Sequence, residues 1–273
     1  MQDKRMELAD VIATISDGAV LALGGNTLHR SPSAAVHEIV RQHKRDLEIV
    51  KTAGAYDVDL LCAAGCAAAV SAGYIGYETP FGMAPAYRRG VEQGSVVARE
   101  HACATVIAGF RAAIQGVPFM PVAGLFGSQL PEQRGFPLIA DPFSAAEVYV
   151  VPAIRPDVAI IHVQEADREG NARIIGTRFE DVLMAQAARS VIVTTERIVD
   201  GETFVATPET VAIPGFLVNA VVPLPGGAWP CSCTLYYGYD DEFLAAWIDA
   251  ARDADRARAF IATRILGARS AEA

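Results

Sequence analysis

The run Asp17-Gly18-Ala19-Val20-Leu21-Ala22-Leu23-Gly24-Gly25-Asn26 decides the fold. Its five uninterrupted apolar residues are too few for a helix and lack the alternation of a half-exposed strand. They predict a short strand buried on both faces, as in parallel sheets. Upstream, Leu8, Val11, Ile12 and Ile15 recur at helical spacing. Downstream, Ser31-Pro32 offers an N-cap and a proline at the first helical position, opening a helix to about His43. Further strands are expected over 47–52, 67–74, 95–99, 147–151, 158–163 and 191–195. Helices are expected over 57–64, 102–115, 179–188 and 241–266. The tail helix places Phe243, Leu244, Trp247 and Ile248 on one face. This alternation predicts an α/β fold, an open and mostly parallel sheet with helices on both faces. Residues 117–142 break the rhythm with Pro118, Pro121, Pro131, Pro137 and Pro142, an irregular segment of the kind that is functional or mobile.

The 273 residues are 52% hydrophobic and 20% charged, a globular composition. No linker, repeat or low-complexity tract divides them, so 1–273 reads as one domain. The 23 basic and 32 acidic residues leave a net charge of −9 with no Lys/Arg cluster, which argues against nucleic acid as a partner. The opening Met1-Gln2-Asp3-Lys4-Arg5-Met6-Glu7 has no apolar run behind its charges, so no signal peptide and a cytoplasmic location are expected. Residues 60–77 and 210–239 are uncharged, but the first is Ala- and Gly-rich and the second holds four prolines, so neither predicts a membrane helix. Both are expected to be buried in the core, or in part beneath another chain.

Cys62, Cys66, Cys103, Cys231 and Cys233 are an odd set without paired zinc spacings, so neither a disulfide framework nor a metal is expected. No G-x-S-x-G elbow occurs. Gly24-Gly25-Asn26, between a strand and a helix, has two readings: backbone N–H groups that receive an anion, or simply a tight turn. It is not the dinucleotide fingerprint, because the third glycine is missing and Lys51-Thr52 ends the second strand where an acid would hold a ribose. Glu78 and Glu100 each end a strand, where a desolvated carboxylate acts as base or nucleophile; the plain alternative is a hydrogen-bonded or helix-terminal acid. Gly127-Ser128 either orients an acyl group from the irregular segment or caps a turn.

In order along the chain, Gly73-Tyr74-Ile75-Gly76-Tyr77-Glu78, Arg99-Glu100, Gly116-Val117-Pro118-Phe119-Met120-Pro121 and Gly127-Ser128 resemble the α subunit of family I CoA-transferases. So do Asp167-x-x-Gly170-Asn171, Met184-Ala185-x-Ala187-Ala188, Glu196-Arg197-Ile198-Val199, Ile213-Pro214-Gly215-Phe216-Leu217-Val218 and Gly227-Ala228-x-Pro230, which come nearest the glutaconate CoA-transferase branch. The resemblance implies a CoA-transferase-like fold, a β-subunit partner in an (αβ)2 heterotetramer, and coenzyme A as substrate with no permanently bound cofactor. It implies exchange of CoA between an acyl-CoA and a (di)carboxylic acid through a glutamyl-CoA thioester, with the nucleophilic glutamate on the β chain. This chain then supplies walls and donors. Asn26 stands where the family commonly has an aromatic residue, and Trp229 where it often has histidine. Some members resembling this branch are ring-opening CoA-thioester hydrolases in which an acid of the α chain matters, a role open to Glu100 or Glu78. Related sheets also serve sugar-phosphate isomerases and effector-binding regulators; the acidic charge and the lack of a DNA-binding segment disfavour a regulator.

Overall fold

In the computed structural model, which describes residues 2–267, the Ala19–Leu23 run becomes strand β1 (Val20–Leu23) at the middle of a sheet. On one side of β1 lie β2 (Leu47–Gly54), β3 (Ala67–Ile75) and β4 (Val97–Glu100), all parallel. Their crossovers carry helices α2 (Ser33–Arg41), α3 (Tyr56–Ala63) and α4 (Pro85–Glu92); α1 (Leu8–Ala13) precedes β1 and α5 (Cys103–Ile114) follows β4. Across 117–142 the chain forms β5 (Phe119–Val122), α6 (Leu130–Arg134) and β6 (Leu138–Ala140). Both strands pair antiparallel with β7 (Glu147–Pro152). The segment expected to be irregular is thus a small second sheet, its prolines and glycines sitting in strands and turns.

The chain then returns to the other side of β1 as β8 (Val158–Ala166), followed by the short antiparallel β9 (Ala172–Arg173), helix α7 (Asp181–Ala187), β10 (Ser190–Ile198), α8 (Gly201–Ala206) and β11 (Ala220–Pro223). Sheet order is β11-β10-β8-β1-β2-β3-β4. The direction of winding reverses at β1, so the crevice outside the carboxyl ends of β1 and β8 is the topological switch point, where open α/β sheets place their ligands.

The two-faced burial read from the apolar run is realised by the pleat. Leu21 and Leu23 enter a core with Ile39, Leu60 and Trp247, under α1, α2, α3, α9 (Asp241–Ala251) and α10 (Ala254–Phe260). Ala22 faces the opposite core with Val106, Phe110 and Met184 of α5 and α7. Helices therefore cover both faces. The tail helix is broken at Asp253, whose carboxylate caps α10 by accepting from the Asp255 and Arg256 N–H groups. Ser31 does not cap α2: Pro32 holds that position without a side-chain bond, and the buried Ser31 Oγ has no partner among the described residues.

Candidate active site

The loop after β1 closes the switch point instead of leaving it open. Gly25 adopts φ +69°, and a Cβ there would collide with the His29 carbonyl, so glycine is required. Asn26 and His29 exchange backbone hydrogen bonds of 2.9 and 2.8 Å, making a two-residue hairpin with the β-branched Thr27 at φ 44°. Such a left-handed threonine costs roughly 1–3 kcal/mol and persists only where its surroundings impose it. Here the Thr27 N–H donates to the Ala53 carbonyl at 3.1 Å and its hydroxyl to Glu78 Oε1 at 2.5 Å.

The loop amides are all engaged: Gly24 N–H with Ile160 O, Gly25 N–H with Asp181 Oδ1, Asn26 with His29 and Thr27 with Ala53. An anion-receiving cradle of backbone N–H groups is therefore replaced by a turn whose donors serve the fold. The Asn26 side chain makes no hydrogen bond among the described residues and is half-buried at the hairpin.

Beneath the loop lies a floor of buried charge. Arg30 reaches Asp181 at 2.7 Å and the carbonyls of His162 and Thr177 at 3.0 and 2.8 Å, while Asp181 also holds the Gly25 amide. Lys51 pairs with Asp57 at 2.5 Å and donates to Gly24 O at 3.0 Å. Glu180, which accepts from the Thr52 hydroxyl, has its carboxyl pushed up to about 7 by burial, with Asp181 adding to the shift and Lys51 opposing it.

On the β8–β10 side, His162 Nε2 faces Glu196 at 2.8 Å and Nδ1 faces Thr194 Oγ1 at 2.9 Å. Burial drives the His162 pKa down, so the imidazole is neutral; its Nε2–H donates to the carboxylate and the Thr194 hydroxyl donates to Nδ1. Glu196 also accepts from Gly226 N–H and the Tyr237 hydroxyl. Burial raises its pKa, but these bonds together outweigh it and the net shift is downward. Ligand atoms of His162, Glu196 and Cys233 lie within 4.8 Å of one another. Binding an ion there would require the Nε2 proton to leave and a thiol that burial pushes up to about 12 to ionise.

The rim is different. Glu78 follows β3 and Glu100 ends the edge strand β4, and both are exposed. Glu78 is joined to the Gly24–Asn26 loop through Thr27; Glu100 lies near enough to Tyr87 to add to the upward shift that burial gives its phenol. Around them stand exposed apolar and aromatic side chains, with Met83 61%, Leu235 79% and Tyr74 46% exposed, and Tyr236 and Tyr239 beside them in sequence with Leu235. The uncharged 210–239 stretch divides accordingly: Ile213, Val221, Cys231 and Cys233 are core, whereas Phe216, Leu235, Tyr236 and Tyr239 face outward.

Gly127 and Ser128 lie in the small-sheet segment, exposed, and no hydrogen bond joins them to the Gly24–Glu78 group among the described residues. Ser128 Oγ accepts from the Leu130 N–H at 3.1 Å, the capping geometry. The floor residues Arg30, Asp181, Glu180, His162 and Glu196 were not singled out from the sequence. A usable signal existed: Lys51 and His162 interrupt apolar strand runs, and a charge inside such a run demands a buried partner.

Residues 5–223 match the coenzyme A transferase family. The chain belongs to that family. It corresponds to the α subunit of the family I enzymes and is one half of an enzyme. Among its relatives is an uncharacterized protein of Archaeoglobus fulgidus, 38% identical over 98% of this chain, of whose length the chain spans 60%. The α subunit of 3-oxoadipate CoA-transferase from Pseudomonas knackmussii is 36% identical, covering 93% of this chain and 90% of its own length. The cholesterol ring-cleaving hydrolase IpdA subunit of Mycobacterium tuberculosis is 31% identical, over 98% and 94%. Glutaconate CoA-transferase from Acidaminococcus fermentans superposes with a TM-score of 0.93 at 33% identity, covering 97% of this chain and 89% of that one. The AibA/AibB decarboxylase gives 0.88 at 35%, over 97% and 100%. The resemblance read from the ordered motifs, and the fold it implies, are borne out. No helix among the described residues is long and apolar enough to cross a membrane.

Proposed function

We propose that this CoA-transferase-family chain is the α half of a two-chain enzyme that moves CoA between an acyl-CoA and a small or dicarboxylic acid. The partner is a β subunit, the assembly an (αβ)2 heterotetramer, the location the cytoplasm, and the chain one domain over 1–273. The single observation that carries the reading is the contrast at the carboxyl edge: a floor with its charges paired inside the chain, and a rim where Glu78 and Glu100 stand exposed among apolar side chains. Such a rim suits a site that a second chain completes.

In this reading the partner's glutamate attacks the thioester carbon, the C–S bond breaks, and CoA thiolate leaves behind a mixed anhydride. The thiolate then attacks the glutamyl carbonyl, releasing the first acid and forming a glutamyl-CoA thioester, from which a second acid takes CoA by the reverse steps. Thioester and anhydride are of similar reactivity, so one hard transfer becomes several easier ones. Because the amides at Gly24, Gly25 and Asn26 are engaged, that loop serves as wall, with the Asn26 side chain as its polar contact to substrate. Thr27 fixes the Glu78 carboxylate, and Gly127-Ser128 flank the acyl channel. Closure must exclude water, since an exposed anhydride hydrolyses before the second acid arrives.

A second reading is a CoA-thioester or ring-opening hydrolase, favoured by the 31% identity to part of a ring-cleaving hydrolase and by two exposed acids able to activate water. The two separate in one assay on the two-chain complex. A transferase needs an acid acceptor and conserves CoA ester; a hydrolase releases free CoA without an acceptor.

A further inference from the structure

At the opposite end of β1 and β2 from the Gly24-Gly25 loop, a cavity of about 330 Å³ opens over Val20, Glu48, Ser71 and the residues after β7. That volume falls within the ~300–1,000 Å³ range of small-molecule sites. Three guanidinium groups line it, those of Arg99, Arg134 and Arg155, against one carboxylate, that of Glu48. In a chain of net charge −9 this is a local excess of positive charge. We propose that the crevice is a binding site for a phosphate-class dianion, gripped by Arg99, Arg134 and Arg155.

The arginines are held as a receiving set. Arg99 meets Glu48 at 2.8 Å, and Glu48 is itself fixed by the Ser71 hydroxyl at 2.7 Å. Arg155 is tied to the Ala113 and Val117 carbonyls at 3.2 and 3.3 Å, contacts that orient it without neutralising it. Arg134 donates to His101 Nε2 at 3.2 Å and lies over the Phe136 ring.

That contact requires a lone pair on Nε2, and the surroundings supply it. The Thr105 hydroxyl donates to the Ala102 carbonyl, so His101 Nδ1 must carry the proton it shares with Thr105 Oγ1 at 2.9 Å. Burial, and Arg134 itself, push the His101 pKa down to about 4, so the imidazole stays a neutral acceptor. Arg134 Nε is buried with no partner among the described residues. Burial and the nearby Arg99 charge lower the Arg134 pKa, the mark of a cation lacking a counter-charge.

A dianion with several oxygens answers each of these deficits. Guanidinium forks bind phosphate oxygens bidentately, and the positive excess exceeds what a single carboxylate would neutralise. The group could come from free phosphate or from the phosphate-bearing end of a nucleotide; the chemistry recognised is the same.

The test is isothermal titration of the full-length chain at fixed ionic strength with sodium phosphate and, separately, adenosine 3′,5′-bisphosphate. Saturable one-to-one binding is expected, weakened at least ~10-fold in Arg134→Gln and unchanged in Arg88→Gln, which alters an exposed helical ion pair. Tighter binding of the bisphosphate names a nucleotide as source, tighter binding of phosphate the free ion, and either supports the site. Neither probe binding by about 10 mM, or Arg134→Gln binding as the native chain does, overturns it. Should Arg134→Gln misfold, phenylglyoxal labelling of native Arg99 and Arg155 read by peptide mass spectrometry decides: phosphate must slow both, and equal rates with and without phosphate overturn the proposal.

Discussion

On the floor of the carboxyl edge, Arg30 faces Asp181, Lys51 faces Asp57 and His162 faces Glu196, each pair buried and closed by backbone groups. On the rim, Glu78 and Glu100 are exposed beside Tyr74, Met83 and Leu235. The difference follows from desolvation. A buried charge must find its partner inside the chain, because water cannot reach it. An exposed charge needs none until something covers it. The floor is therefore complete in the isolated chain, while the rim acquires its chemistry on assembly.

Asp181→Ala breaks the floor most severely. It strands the buried Arg30 guanidinium and the Gly25 amide, and is expected to cost ~3–5 kcal/mol in urea denaturation. Adding Arg30→Met should recover part of the loss by removing the orphaned charge. A cost below ~1 kcal/mol for Asp181→Ala would mean that the pair does not hold the loop.

Glu180 sharpens the comparison through pH. Its carboxyl ionises near 4.5 in the unfolded chain and near 7 in the folded one. Between those values the unfolded state has lost the proton and the folded state keeps it, so stability falls as pH rises through this window and levels off above it. Glu180→Gln removes the effect. Relative to the native chain it should be equal in stability near pH 4.5 and more stable by up to ~3 kcal/mol at about pH 8. Asp59, raised to about 6 chiefly by burial, acts in the same direction in both proteins and cancels in the difference. Parallel pH profiles would show that Glu180 ionises normally.

On the rim, Glu78→Gln should leave the melting temperature nearly unchanged, since the residue is exposed, while lowering turnover of the two-chain complex at least ~10-fold. Loss of stability without loss of turnover would return Glu78 to a purely structural role. The smallest effect belongs to Ser128→Ala: a cap on the short helix α6, worth under ~1 kcal/mol, with turnover almost intact. A hundredfold fall in turnover by a folded Ser128→Ala enzyme would move Ser128 into the reacting centre.

What could be read from the sequence follows from the range of the forces involved. The strands at β1, β2, β3 and β8 were legible because burial on both faces leaves apolar runs, and the turn at Gly170 because its φ of +97° calls for glycine. Residues 117–142 were misread because edge strands rich in proline lack that apolar signature: β6 is exposed along its whole length. For the same reason 147–151 was found as a strand but not as part of a separate sheet. At the site, Glu78 and the Gly24-Gly25 turn were visible as local punctuation. The ties that give them meaning were not, since Thr27 and Glu78 lie 51 residues apart and Arg30 and Asp181 lie 151 apart. Pairings of that separation leave only an unexplained charge in an apolar context, as at Lys51.

The claim that the rim is a half-site awaiting its nucleophile is tested most directly by trapping. The purified two-chain complex is incubated with acyl-CoA, reduced with borohydride, and both chains are mapped by mass spectrometry. The account predicts a reduced glutamate on the partner chain and an unmodified Glu78 and Glu100 here. A reduced Glu78 or Glu100, or turnover of acyl-CoA by this chain alone, would contradict it.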